Sequence, residues 1–297
     1  MKTLPLHEGG IMLNAFANSW SMIKSSARVL KEDRELLIFP ILSAIGIVLL
    51  TAVFFVPMLL VGYFGRVSDQ GLQIVDYLIL FLYYLIQYFA IFFCNTALVG
   101  AAMIRIRGGD PTVKDGLKIA YDRFESIFFY SLIAATIGML LSLVREKGNS
   151  ATRVVSSLFG FVWNVATFLV VPVLAVEDVG PIEAIKRSVA HLKKTWGEQL
   201  VGSFSIGAVF QLAAVLIIFA AGVFIVLLVN ANVQPWAYVA VGAVTLLILL
   251  VIALVSTTLK GIYTAAVYQY ASTGDAGTYF EAEAVQNAFR STSPPKI

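Results

Sequence analysis

Five apolar stretches, each free of charge, dominate the chain. They run from Leu36 to Gly65, Tyr77 to Ile104, Ser126 to Val144, Val154 to Val176 and Gln199 to Leu259, over 30, 28, 19, 23 and 61 residues. A helix needs about 20 residues to cross the hydrocarbon of a bilayer. The last stretch is too long for one crossing, and the polar run Asn230-Ala-Asn-Val-Gln-Pro235 divides it. Runs such as Leu246-Leu-Ile-Leu-Leu-Val-Ile252 do not alternate as strands of a membrane barrel do. The pattern predicts an all-α, polytopic bundle of six transmembrane helices, near 36–65, 77–104, 126–144, 154–176, 200–229 and 236–270.

A second pattern, of period 3.6, lies in the charged segments. Val113, Leu117, Tyr121, Phe124 and Phe128 recur at helical spacing, as do Ile182, Ile185, Val189, Leu192 and Trp196. Met12, Phe16, Trp20, Ile23 and Ala27 repeat the series, and the three align at offsets of 101 and 68 residues. One apolar stripe among charges predicts an amphipathic helix before each hairpin of spans. Asp110-Pro111 and Gly180-Pro181 suit the helix starts. The expected organisation is one membrane domain over 1–297 with three parallel repeats, about 11–107, 108–177 and 178–275. A cytoplasmic tail follows over 276–297, in which Tyr279 to Phe289 suit one more short helix.

Composition agrees with the bilayer. The chain is 59% apolar and 13% charged, against about 45–50% and about 25% for soluble domains. This excludes a disordered chain, a disulfide scaffold and an ordinary cytosolic enzyme. The single cysteine, Cys94, permits no intrachain disulfide. No compact apolar segment with a cleavage site opens the chain, so no cleavable signal peptide is expected. The placement of Lys and Arg sets the orientation. Seventeen lie in the N-terminal segment, the two amphipathic loops and the C-terminal side, and four on the opposite side. Both termini are therefore expected in the cytoplasm. Trp236 and Tyr238 suit the opposite interface.

Polar groups inside the spans are the default functional candidates. The repeat offsets place Asn95, Asn164 and Lys260 at similar depth, a candidate polar axis that equally suits interhelical hydrogen bonds. Lys260 lies 24 residues after Trp236, deep enough to snorkel to the far interface. Gln87 and Gln211 are the other polar amides. Asp110, Asp178 and Asp275 close the even-numbered spans and form a candidate acidic trio for a cation, or else caps of turns. Lys186, Arg187, Lys193 and Lys194 are the candidate residues for anionic lipid at the interface. His191 is expected on a solvated polar face, and Pro57 and Pro172 near helix ends. Rows of small residues, Ala134, Gly138 and Ser142 on span 3 and Ser203 and Gly207 on span 5, suit close helix packing. No catalytic, phosphate-binding, dinucleotide or paired-cysteine motif occurs. No cofactor, metal or nucleic acid is expected.

Several blocks carry a resemblance. Glu32-Asp-Arg-Glu-Leu-Leu-Ile-Phe-Pro40, Gly108-Gly-Asp-Pro-Thr-Val113, Val171-Pro-Val-Leu174 with Glu177, Ala184-Ile-Lys-Arg-Ser188 and Thr195-Trp-Gly-Glu198 resemble an uncharacterised family of prokaryotic six-span membrane proteins, the domain of unknown function DUF6159. The likeness runs over about 12–275. The helix-before-hairpin pattern is more loosely similar to the membrane domain attached to some glycerophosphodiester phosphodiesterases, which is not their catalytic part. The resemblance implies a prokaryotic inner membrane and supplies no catalytic residues. Three functions are expected in order: a non-enzymatic bundle organising lipid or a partner protein, a transporter or channel along the pseudo-threefold axis, and an intramembrane enzyme using the acidic trio.

Overall fold

A computed structural model describes residues 23–194, 198–231, 233–275 and 277–280. These residues are helical, with short turns and no strand among them. Helix α1 covers 23–32 and a 3₁₀ turn covers Arg34–Leu37. There follow α2 (Ile38–Leu60), α3 (Tyr63–Gln70), α4 (Ile74–Ile106), α5 (Val113–Asp122), α6 (Phe124–Lys147), α7 (Ser150–Ala166), α8 (Val170–Val176), α9 (Pro181–Lys194), α10 (Glu198–Asn230) and α11 (Pro235–Thr273). Six segments are long and apolar enough to span: Arg34–Leu60, Ile74–Ile106, Phe124–Arg145, Ala151–Val176, Ile206–Asn230 and Pro235–Thr273. They match the six expected.

The core lies at one end of the bundle, the end that carries α5 and α9. It is called the basic end below. Helix α4 is buried from Thr96 to Met103, and α11 over much of Ser256 to Gln269. Small side chains make this approach possible. A Cβ on Gly261 of α11 would stand 2.5 Å from the Leu98 side chain of α4. A Cβ on Gly116 of α5 would stand 2.7 Å from the Ala97 carbonyl oxygen and overlap Phe39. Towards the other end the helices turn large apolar side chains outward, as on α10 and α11 at Leu216, Phe219, Leu227, Val239, Leu246 and Val251. A helix apolar all round belongs in lipid.

Three departures from the expected elements have local causes. The long first apolar run does not end in a plain loop. Gly62, at φ 66°, turns the chain into α3, an amphipathic helix held by Asp76, which accepts from Tyr63 Oη (2.7 Å) and the Gln73 amide (2.7 Å). Helix α5 starts at a Thr112 cap with Asp115, two residues beyond the predicted Asp110, and the expected stripe breaks at Arg123.

The fourth span is two helices. Pro172 has no amide hydrogen for the Phe168 carbonyl and its ring crowds that turn, so the helix breaks at 167–169 rather than near its end. Thr167 Oγ1 donates to the Trp163 carbonyl (2.8 Å), and the buried Leu169 amide donates to Ser188 Oγ of α9 (3.0 Å). Backbone freed at membrane depth needs such a partner.

The amphipathic helices sit otherwise than the stripes suggest. Small residues face the bundle: Gly116 and Ala120 on α5, Ala184 and Ser188 with Leu192 on α9. Of the larger stripe members Val113, Leu117 and Ile185 pack partly against the core, while Tyr121 is 72% and Ile182 64% exposed. Of the first series only Ile23 and Ala27 lie among the described residues, and Trp196 lies outside them. Of the predicted last helix only Tyr279 and Phe280 are described, and both stand in turns. Thr278 there bonds the Ile106 carbonyl and Tyr279 Oη donates to Glu32 (2.6 Å).

Candidate functional site

Two places combine polar chemistry with exposure. The first is the basic end. Arg105 Nε donates to Asp33 (3.3 Å) and its guanidinium also pairs with Asp110 (2.6 Å). Arg107 Nε donates to Gln269 Oε1 (3.0 Å), Arg123 pairs with Asp178, and Arg187 pairs with Glu177 and Glu183. The planar guanidinium suits such forked contacts. The lysines differ: Lys114, Lys118, Lys186 and Lys193 are exposed. Lys186 comes within 3.8 Å of Glu183 at the surface, a contact worth little. Thus Arg187, expected at the lipid, is taken into the fold. The Lys194 side chain lies outside the described residues.

Glu177 is the hub of this end, its side chain 18% exposed. It accepts from Tyr268 Oη (2.6 Å), pairs with Arg187 and stands 3.7 Å from His191 Nε2. His191 is not the solvated residue expected: its side chain is 16% exposed and its ring packs edge-on against Tyr268, centroids 5.5 Å apart. Burial pushes the Glu177 carboxyl up, but the bonds from Tyr268 and Arg187 together outweigh it and hold the carboxyl below its ordinary range. Asp33 goes the other way, raised because burial exceeds the pull of Arg105.

The signs give a prediction. A depressed carboxyl stabilises the fold above its unfolded pKa of about 4.3, and this share is lost as pH falls through the folded value. A raised carboxyl such as Asp33 contributes most below its unfolded value and loses that share as pH rises. Thermal unfolding in detergent should therefore show Glu177→Gln less stable than wild type at pH 7, the gap closing below about pH 4. A gap constant with pH would mean that the glutamate charge is not what holds α9.

The second place is a slot of about 510 Å³ between α4, α6 and α7. Tyr84, Tyr88 and Phe92 form one wall, one turn apart, with Tyr88 and Phe92 stacked at 5.8 Å and 15°. Ala134, Gly138 and Ser142 line the α6 side of the slot. A Cβ on Gly138 would stand 3.1 Å from Tyr88 Oη. Trp163, Asn164 and Thr167 close the slot beside the break in span 4, and Arg145 is the one charged lining residue. The aromatic i, i+4 ladder and the small i, i+4 row are both visible in the sequence. Their facing one another is not.

The candidate polar axis is divided with respect to the slot. Asn164 lines the slot, and Asn95 and Lys260 do not. Asn95 is half-buried on α4, while Lys260 reaches towards Gly207 of α10, where a Cβ would meet its Nζ at 3.3 Å. Gln87 ties α4 to α2 by donating to Tyr83 Oη (2.7 Å) and Thr51 Oγ1 (3.3 Å). The acidic trio is also dispersed. Asp110 and Asp178, with side chains 91% and 92% exposed, pair with separate arginines, and Asp275 accepts from the Gly277 amide in its own turn. Among the described residues no three His, Cys, Asp or Glu side chains lie close enough to hold a metal ion.

No curated protein matches the chain, and the looser likeness to the phosphodiesterase membrane domain gains no support. A family model described as a family of unknown function, DUF6159, matches residues 74–279, from the start of α4 to the turn after α11. The blocks at Gly108, Val171, Ala184 and Thr195 fall inside this match, and the chain belongs to the DUF6159 family.

Proposed function

We propose that this protein is a non-enzymatic membrane bundle that gathers anionic lipid at its basic end, in the cytoplasmic leaflet of a prokaryotic inner membrane. One observation carries the reading: the basic end sorts its cations. Around α5 and α9, arginines 105, 107, 123 and 187 hold polar partners of the fold, two of them (Arg107 and Arg187) while still exposed, whereas Lys114, Lys118, Lys186 and Lys193 face outward beside the exposed Tyr121 and Ile182. Lysine outside and large apolar groups at the same level suit a helix lying in the headgroup region. Each such lysine is worth about 1 kcal/mol near an anionic surface. The bias of Lys and Arg supports the cytoplasmic placement of both termini.

The three repeats belong to the same reading. Their offset of 68 residues superposes Gly116 on Ala184 and Ala120 on Ser188, all four of which face the bundle. Each repeat then presents one surface helix to the same leaflet.

The test is native mass spectrometry of protein released from nanodiscs of equal phosphatidylglycerol and phosphatidylcholine. Wild type should retain phosphatidylglycerol in excess. The variant Lys114→Gln/Lys118→Gln/Lys186→Gln/Lys193→Gln should retain the two in the ratio supplied, with its unfolding temperature unchanged. An excess that persists in the variant overturns the proposal.

A second reading, passage of a solute, draws on the break of span 4 beside the slot, since broken helices form binding sites in transporters. Liposome flux of candidate solutes unaffected by Asn164→Leu would dismiss it.

A further inference from the structure

We propose that the slot between α4, α6 and α7 is a binding site for one anionic phospholipid, with its phosphate at Arg145 and a single acyl chain along α6. This site is separate from the basic end. Arg145 stands at the α6–α7 turn, so the lipid would come from the opposite leaflet.

Shape is the first argument. The α6 residues lining the slot are Tyr130, Ala134, Gly138, Ser142 and Arg145 with their neighbours, one stripe from end to end of the span. Fifteen residues of helix separate Tyr130 from Arg145, a length of about 22 Å at 1.5 Å per residue. A lining that follows one stripe of α6 over that length suits one extended acyl chain. The slot is half open, so the second chain stays in the bilayer.

Charge is the second argument. Arg145 is the one charged group of the lining and the last residue of the third span. Among the residues whose side chains are described, a set that leaves out its neighbour Glu146, no carboxylate lies within ion-pair distance of it. A guanidinium in a lining that holds no described carboxylate suits a phosphate, which it meets with two parallel donors. Ser142 stands one turn deeper, about 4.5 Å along the helix, at the level of the ester carbonyls, which need a donor. Below it the walls become aromatic and aliphatic, with the faces of Tyr88 and Phe92 opposite Ala134 and Gly138.

Trp163 lines the slot and reports on it. Trp20, Trp196 and Trp236 are replaced by phenylalanine, so that the fluorescence comes from Trp163 alone. The protein is reconstituted in phosphatidylcholine containing a small fraction of lipid with brominated chains. Brominated phosphatidylglycerol should quench several-fold more than its mole fraction predicts, and brominated phosphatidylcholine no more than its fraction. Arg145→Gln should lower the phosphatidylglycerol preference roughly tenfold, as the loss of one charge-assisted contact implies. Gly138→Leu should reduce quenching by both lipids. Arg145 is exposed, so its variant tests the site even if Gly138→Leu does not fold.

Quenching at the mole fraction for both lipids, or a preference that survives Arg145→Gln, overturns the proposal. So does stronger quenching by a brominated free fatty acid than by the phospholipid. The four lysine substitutions at the basic end should leave Trp163 quenching unchanged, so the two lipid sites fail or stand independently.

Discussion

Gly116→Leu should abolish the folded bundle in mild detergent, and Gly116→Ala should lower its unfolding temperature by several degrees. Alanine at a helical glycine ordinarily stabilises, by about 1 kcal/mol. Here the sign reverses because of what the new carbon meets. Its position is 2.7 Å from the Ala97 carbonyl oxygen of α4, with the Phe39 ring on the other side. Backbone cannot give way as the end of a flexible side chain can, and overpacking of this kind costs about 1–3 kcal/mol or more. The consequence is wider than one contact. Helix α5 lies against the buried stretch of α4, so moving α5 outward opens the region where α4, α2 and the 3₁₀ turn meet. Gly46→Ala is the control: on α2 a Cβ at Gly46 meets nothing within 4 Å, and it should be neutral or stabilising. Thermal unfolding followed by circular dichroism distinguishes the outcomes. Equal shifts for the two alanine variants would show that α5 does not dock through this glycine.

The second large effect is expected at Ser188. Its hydroxyl, fully buried on α9, accepts the amide of Leu169 where span 4 breaks. Ser188→Ala leaves that amide without an acceptor in a place that water does not reach. A buried unsatisfied backbone group costs about 1–3 kcal/mol, and no solvent repairs it at membrane depth. The variant should unfold at lower temperature and its amides at 168–170 should exchange hydrogen faster. Pro172→Ala supplies the donor that the Phe168 carbonyl lacks and lets the helix close towards Leu169. The two substitutions together should therefore lose less than the sum of the separate losses, a coupling above about 0.5 kcal/mol. Strict additivity would mean that the break does not depend on the proline.

These two sites show where sequence reading stops. The six spans were legible because hydrocarbon length sets a simple criterion, charge-free runs of about 20 residues, and no tertiary contact is needed to apply it. The presence of α5 and α9 was legible from period alone. Which face of them turns inward was not. Tyr121 and Ile182 are large members of their stripes that stand exposed, while Gly116, Ala120, Ala184 and Ser188 face the bundle with Leu117, Ile185 and Leu192 packing beside them. At an interface large apolar groups have lipid available as a partner, and close approach to other helices favours small ones.

Charge counting treated arginine and lysine as one class, which is correct for orientation and blind to role. The fold separated them by geometry: guanidinium forks found Asp33, Asp110, Asp178 and Glu177, while lysines of the same loops remained outside. Likewise His191 and Glu177 are polar letters in a charged segment, and only the arrival of Tyr268 from α11 makes them one buried cluster.

By itself the sequence determined that this chain lives in a bilayer, crosses it six times as helices and carries amphipathic helices in its basic loops. Those features depend on segment composition and local period, which act within one element. The tertiary structure decided that Asn164 of the candidate axis lines the slot without Asn95 and Lys260, that the acidic trio makes no metal-holding group among the described residues, and that aromatic and small rows from α4 and α6 line that slot. Such outcomes depend on the rotation of each helix about its axis. That rotation follows from close packing at a few small residues, and hydropathy, which nearly every face of these helices satisfies, does not specify it.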